Sequence, residues 1–174
     1  MRKTTTLALI ATGLIALGCG SGAADTSTSS GGSGKGEDAP AKTAKVGEAA
    51  RDGKFEFTVK SAKCGVAKVG SDMLGQKAQG QFCLVTVNVK NIGKEAQMFD
   101  GSSQKAYAAD GTEYSADGGA AIYANKNAET FLNDVNPGNQ VSGVVVFDIP
   151  KNVKLAKLEL HDSPFSGGVD VALG

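Results

Sequence analysis

The chain has 174 residues, enough for a domain with a substantial core, and 18 basic residues balance 18 acidic ones. That balance excludes a nucleic-acid-binding surface, which needs a concentrated excess of Lys and Arg to neutralise phosphates. A single histidine excludes a multi-histidine zinc centre.

Arg2 and Lys3 precede a short apolar run over residues 7–17, the layout of a secretory signal. A bilayer span takes about 20 apolar residues, so this run is too short, and no second stretch is long enough. The run ends in Ala16-Leu17-Gly18-Cys19. A small residue directly before cysteine resembles the lipobox of bacterial lipoproteins, although Ala16 stands where such boxes usually carry Leu. The resemblance implies that residues 1–18 are removed as a signal peptide and that Cys19 carries a lipid (palmitate) anchor on the outer face of the cell membrane. A signal cleaved nearby, giving a secreted protein, is the competing reading. Loss of residues 1–18 removes Arg2 and Lys3 and no acid, leaving a net charge of about −2. No polybasic patch therefore supplements the lipid.

Residues 19–50 are mostly Gly, Ser, Ala, Thr and Lys, with almost nothing to bury. Such a stretch cannot offset its ordering entropy and is expected to be a disordered tether, with a mean reach of about 30 Å.

Residues 51–174 read differently. Phe55, Phe57 and Val59 alternate with polar neighbours, the period-2 pattern of a strand buried on one face. Cys83, Val85, Val87 and Val89 repeat the pattern, with Phe82, Leu84, Thr86, Asn88 and Lys90 on the opposite side. Val141, Gly143, Val145, Phe147 and Ile149 share a face until Pro150, which has no N–H to donate, stops the ladder. Leu158 and Leu160 face away from Lys157, Glu159 and His161. Weaker strands are expected at residues 105–108, 121–125, 130–134 and 169–173. Turn signals separate the strands at Asn91-Ile92-Gly93, Asp100-Gly101, Asp110-Gly111, Asp117-Gly118 and Asn136-Pro137-Gly138. No convincing 3.6-residue period is visible. About seven to eight short strands point to an all-β, antiparallel sandwich, with a closed barrel as the competing architecture.

Once Cys19 is assigned to the lipid, Cys64 and Cys83 remain as a pair in an oxidising compartment. A bridge would close a loop of about 20 residues and contribute on the order of 3 kcal/mol. Two buried free thiols are the alternative.

With these segments placed, the domain resembles the immunoglobulin-like lipoprotein domain of actinobacteria and other Gram-positive bacteria, a family of unknown function. The residues that carry the resemblance are Val85-x-Val87-x-Val89-x-Asn91-x-Gly93, Asp110-Gly111-x-x-Tyr114 and Asn136-Pro137-Gly138. They are followed by Val145-x-Phe147-Asp148-Ile149-Pro150 and Leu158-x-Leu160, and together they span most of residues 54–173. The resemblance implies an immunoglobulin-like β-sandwich related to secreted mycobacterial immunogenic proteins, and it brings no catalytic residues and no cofactor. Each motif has a structural reason. Pro137-Gly138 suits the centre of a type II turn, and Tyr114 suits a corner tyrosine.

Chemistry is sparse. His161-Asp162-Ser163 contains the residue types of a hydrolase triad, but adjacent strand residues point to opposite faces, so His161 reads as a surface residue at a strand end. Asp100, Asp110, Asp117, Asp134 and Asp148 all lie near loops, where calcium finds its six to eight oxygens, yet no Asp-x-Asp-x-Asp-Gly loop occurs. Phe99, Tyr107, Tyr114, Tyr123 and Phe131 read as core or corner residues rather than a binding surface. The leading expectation is a non-catalytic cell-surface domain that binds an envelope or extracellular protein. A small-ligand or calcium-binding accessory is the alternative, and a secreted enzyme comes third.

Overall fold

Strand β4 (Gly75–Asn91) lies inside the main sheet, and its Cys83, Val85, Val87 and Val89 are all fully buried, as the alternation requires. The computed structural model describes residues 43–125, 127 and 130–174. In it, β4 pairs with β3 (Phe55–Gly70) on one side and β9 (Gln140–Ile149) on the other. Strand β2 (Ala49–Asp52) completes an antiparallel sheet of order β2-β3-β4-β9. The second sheet has the order β1-β11-β10-β6-β7. Its strands are β1 (Ala44–Lys45), β6 (Lys105–Ala108), β7 (Glu113–Ser115), β10 (Leu155–Leu160) and β11 (Val169–Ala172). Only the β1–β11 pairing in it is parallel. Strands β5 (Gln97–Met98) and β8 (Asp134–Val135) form a separate small ladder.

The main core lies between the two larger sheets. Phe55, Phe57 and Val59 from β3, the β4 valines, and Val145, Phe147 and Ile149 from β9 meet Ala106, Leu158, Leu160 and Val171. Phe99 enters this core, with its ring centroid 5.9 Å from Phe55 and 5.8 Å from Phe57. Each such aromatic contributes roughly 1.5–3 kcal/mol by leaving water. The architecture is the β-sandwich expected from the alternation.

Four local expectations are corrected. Residues 121–125 are not a strand: Gly118–Ala124 forms the helix α1. Its cause is an apolar outer face on the β4–β9 sheet, where Phe82 and Val146 are fully buried beside Val69 and Ala120. Of residues 130–134, only Asp134 joins a strand. Thr130 instead closes a turn by donating its N–H to the Asn127 carbonyl. The ordered domain begins earlier than residue 51, because Ala44 and Lys45 pair with Val171 and Ala172, and Ala44 is buried. His161 is buried rather than exposed, since its N–H donates to the Gln104 side chain and its ring lies between Glu159 and the Ser166 carbonyl. The expected signal peptide, Cys19 and the expected tether up to residue 42 lie outside the described residues.

Cys64 and Cys83 sit at disulfide distance on the neighbouring strands β3 and β4, with their Cα atoms 3.9 Å apart. Cys83 lies in the core and Cys64 at the surface, so the pair staples one hairpin rather than one sheet to the other.

Two of the turn motifs converge on one residue. Asn91 is fully buried, and its Nδ2 donates to the Glu95 and Val135 carbonyls at 2.7 Å each. Its Oδ1 accepts the Gly93 N–H at 2.8 Å, while its carbonyl accepts the Gly138 N–H at 2.9 Å. Gly138 has φ +81, the value a type II turn demands after Pro137. Asn91→Ala therefore strands the buried Val135 carbonyl, the part-buried Glu95 carbonyl and the Gly93 N–H, and a loss of about 1–3 kcal/mol is expected in urea unfolding. A loss below about 0.5 kcal/mol, within the range of an ordinary surface change, would contradict this role.

Candidate functional site

Helix α1 is fixed at both ends. At its start the Asp117 carboxylate accepts the Ala120 N–H at 2.8 Å and the Gln76 amide at 2.8 Å. A helix leaves its first N–H groups unpaired, and an aspartate is well suited to accept one of them. After its last turn Asn125 donates to the Ala121 carbonyl at 2.8 Å and the Val144 carbonyl at 2.9 Å, and accepts the Val144 N–H at 2.8 Å. The Asp117 N–H donates to the Val146 carbonyl at 2.7 Å. The segment thus covers the outer edge of β9, an edge that would otherwise invite pairing with another chain.

One side of α1 buries Ala120 against Phe82, Val69 and Val146. The other side presents Ile122 to an apolar groove of about 230 Å³. The facing wall is the segment from Met98 to Ser102. There the Asp100 carboxylate caps a 3-10 turn (Gly101–Ser103), accepting the Ser102 N–H at 2.9 Å, the Ser102 hydroxyl at 2.6 Å and the Ser103 hydroxyl. Phe99 and Phe131 line the groove edge to face, with centroids 4.8 Å apart. Phe131 reaches this position because residue 143 is glycine: a β-carbon there would overlap the Phe131 ring. Met98, Ile122 and Leu132 form the mouth and remain 56%, 50% and 63% exposed.

Burial alone would raise the Asp100 pKa, but the Ser102 and Ser103 donors outweigh it and hold the carboxyl below its ordinary value. The Thr112 amide lowers Asp110, and hydrogen bonds from Tyr107 and Lys105 lower Glu113. Burial, followed by the bond to Glu113, pushes the Tyr107 phenol up.

The five loop aspartates do not converge. Asp100 and Asp117 cap helical turns, Asp110 accepts the Thr112 N–H at 3.0 Å, and Asp148 accepts the Gln79 and Gly80 N–H groups at 2.6 and 3.0 Å. Asp134 is exposed on β8. Among the described residues no cluster of three or more His, Cys, Asp or Glu side chains could hold a metal ion. His161 Nε2 lies 2.8 Å from Glu159 Oε1, whereas Asp162 accepts the Lys54 N–H at 2.7 Å. The three neighbours His161, Asp162 and Ser163 therefore form no relay. Tyr114 packs partly buried on the main core. Phe131, read from sequence as a core or corner residue, packs partly buried against the main core and also lines the groove, whereas Tyr123, read the same way, stands 41% exposed. Met98, Ile122 and Leu132 carry no motif in the sequence. Their juxtaposition across 34 residues is the only signal that marks them.

A family model described as "Domain of unknown function (DUF4352)" matches residues 44–171. The uncharacterized protein YxkC of Bacillus subtilis (strain 168) is 31% identical over 117 residues, covering 63% of this chain. That match spans 64% of YxkC, slightly under two thirds of its length. Among solved structures, the secreted protein MPT63 of Mycobacterium tuberculosis is similar with a TM-score of 0.55 and 16% identity, over 77% of this chain and 98% of that one. The yjhA protein of Bacillus subtilis is similar with a TM-score of 0.51 and 16% identity, over 74% and 99% of the two chains. At such identities these likenesses concern the fold.

The lowered Asp100 pKa has a consequence for stability. A carboxyl depressed in the folded state stabilises above its unfolded pKa of about 3.9, and that stability is lost as pH falls through the folded value. Asp100→Ala is thus expected to be less stable than the parent at pH 7, with the gap narrowing on acidification below about pH 4. Urea unfolding at several pH values checks this, and a gap that widens on acidification would refute the capping role.

Proposed function

The chain belongs to the DUF4352 domain family, and from that premise we propose that it is an exported, non-catalytic binding domain, lipid-anchored through Cys19 on the outer face of the membrane. Its partner is an envelope or extracellular component, met at the groove between α1 and the segment from Met98 to Ser102. One observation carries this reading. Three large apolar side chains stand at least half exposed around a concave apolar surface, a combination that marks interaction sites.

The polar residues support it by their occupation. The carboxylates of Asp100, Asp110, Asp117 and Asp148 accept backbone amides, and Asp100 also hydroxyls, while His161 is held between Glu159 and the Ser166 carbonyl. Those groups maintain turns and caps. The signal-like N-terminal run and the lipobox-like Cys19 support a location where such a partner is encountered.

Two experiments test the proposal. A photo-crosslinking residue at Leu132, irradiated on intact cells, is expected to give a discrete adduct, whereas the same residue at exposed Thr112 is expected to give none. No adduct from position 132, or equal labelling from both, would remove the groove as the binding face. Cys19→Ser is expected to release the protein into the medium, and retention at the membrane would sink the lipid anchor.

A further inference from the structure

Given that the groove is the binding face, we infer that its occupant is one alkyl chain of a free lipid, with the polar end left in water at the mouth. The inference starts from the chemistry of the walls. Phe99, Phe131 and Ala121 line the interior, and Met98, Ile122 and Leu132 the rim. The polar side chains in reach are already engaged. Asn125 uses its amide nitrogen on the Ala121 and Val144 carbonyls and its oxygen on the Val144 N–H. Asp100 accepts from Ser102 and Ser103, and the Ser102 hydroxyl is the donor in one of those bonds. A peptide segment brings an N–H and a C=O with nearly every residue, and each must find a partner when it loses water. A saturated chain brings none.

Size narrows the choice. A volume of about 230 Å³ exceeds the roughly 150 Å³ of an apolar cavity known to admit benzene. It lies below the roughly 300–1,000 Å³ typical of sites for larger rigid ligands. A narrow flexible chain suits that space. The open mouth, with its half-exposed rim, leaves a headgroup hydrated, so no buried polar partner is required for it.

The test is a titration of the purified protein with 1-hexanol and 1-octanol, followed by NMR of the Met98, Ile122 and Leu132 methyl groups. Saturable shifts are expected at all three, with affinity rising about fourfold per added methylene, the transfer value of one CH₂. Two variants close the groove by different routes. Gly118→Leu adds a side chain at the start of α1, where a β-carbon meets only Ser102 Cβ at 3.5 Å. Leu132→Asp places a charge on an already exposed rim position. Each is expected to weaken octanol binding at least tenfold while keeping the parent's spectrum elsewhere. Absence of saturable shifts, or an affinity independent of chain length, would overturn the alkyl occupant. If a Leu132 adduct still formed on cells, the groove would stand as a binding face with a different ligand. Binding of Cys19→Ser protein to phosphatidylcholine vesicles without saturable alkanol binding would also overturn it, in favour of a bilayer surface.

Discussion

The main sheet is apolar on both faces around Phe82, Leu84, Val144 and Val146, and most of the structure follows from having to cover it twice. Val85, Val145 and Phe147 look into the sandwich, while Phe82, Leu84, Val144 and Val146 look outward. The second sheet covers the inner set. Among the described residues α1 covers the outer one, because the second sheet cannot lie on both sides of its partner. A helix with small residues at Ala120, Ala121 and Ala124 lies close against this surface. The same segment supplies Asp117 and Asn125 to the outer edge of β9, so one insertion covers both a face and an edge.

The groove is a by-product of that cover. A helix of seven residues has one side against the sheet, which leaves Ile122 on another side. The facing wall is set independently, by Asp100 capping its turn and by Phe99 anchored among Phe55 and Phe57. Phe131 joins the two walls through the space left by Gly143. Because each wall is held by contacts inside the domain, the groove is present before anything binds, which lowers the ordering cost of binding.

Asn91 organises the C-terminal end of β4. A buried amide with no partner is costly, and this one is fully used on the turn after β4 and on β8, while the Asn91 backbone carbonyl accepts from the Pro137-Gly138 turn. The sequence motifs at 91–93 and 136–138 are therefore two halves of one junction. Their spacing along the chain hides this, since a hydrogen bond across 44 residues leaves no local pattern.

Much of the fold was legible because period-2 alternation records which face of a strand meets water. Phe55 to Val59, Cys83 to Val89, Val145 to Ile149 and Leu158 to Leu160 all take the faces that their alternation specifies. The helix was not legible. Gly-Gly-Ala-Ala-Ile-Tyr-Ala is too short for a helical period, and its helicity rests on an Asp117 cap and on a sheet surface distant in sequence. His161 was misread because the pattern of one strand does not report the loops that fold over its end. By itself, the sequence determined the strand faces, the turns and the cysteine pair, since these depend on composition and on neighbours a few residues apart. Tertiary structure alone decided the helix, the Asn91 junction and the groove, since each requires side chains brought together from separate parts of the chain.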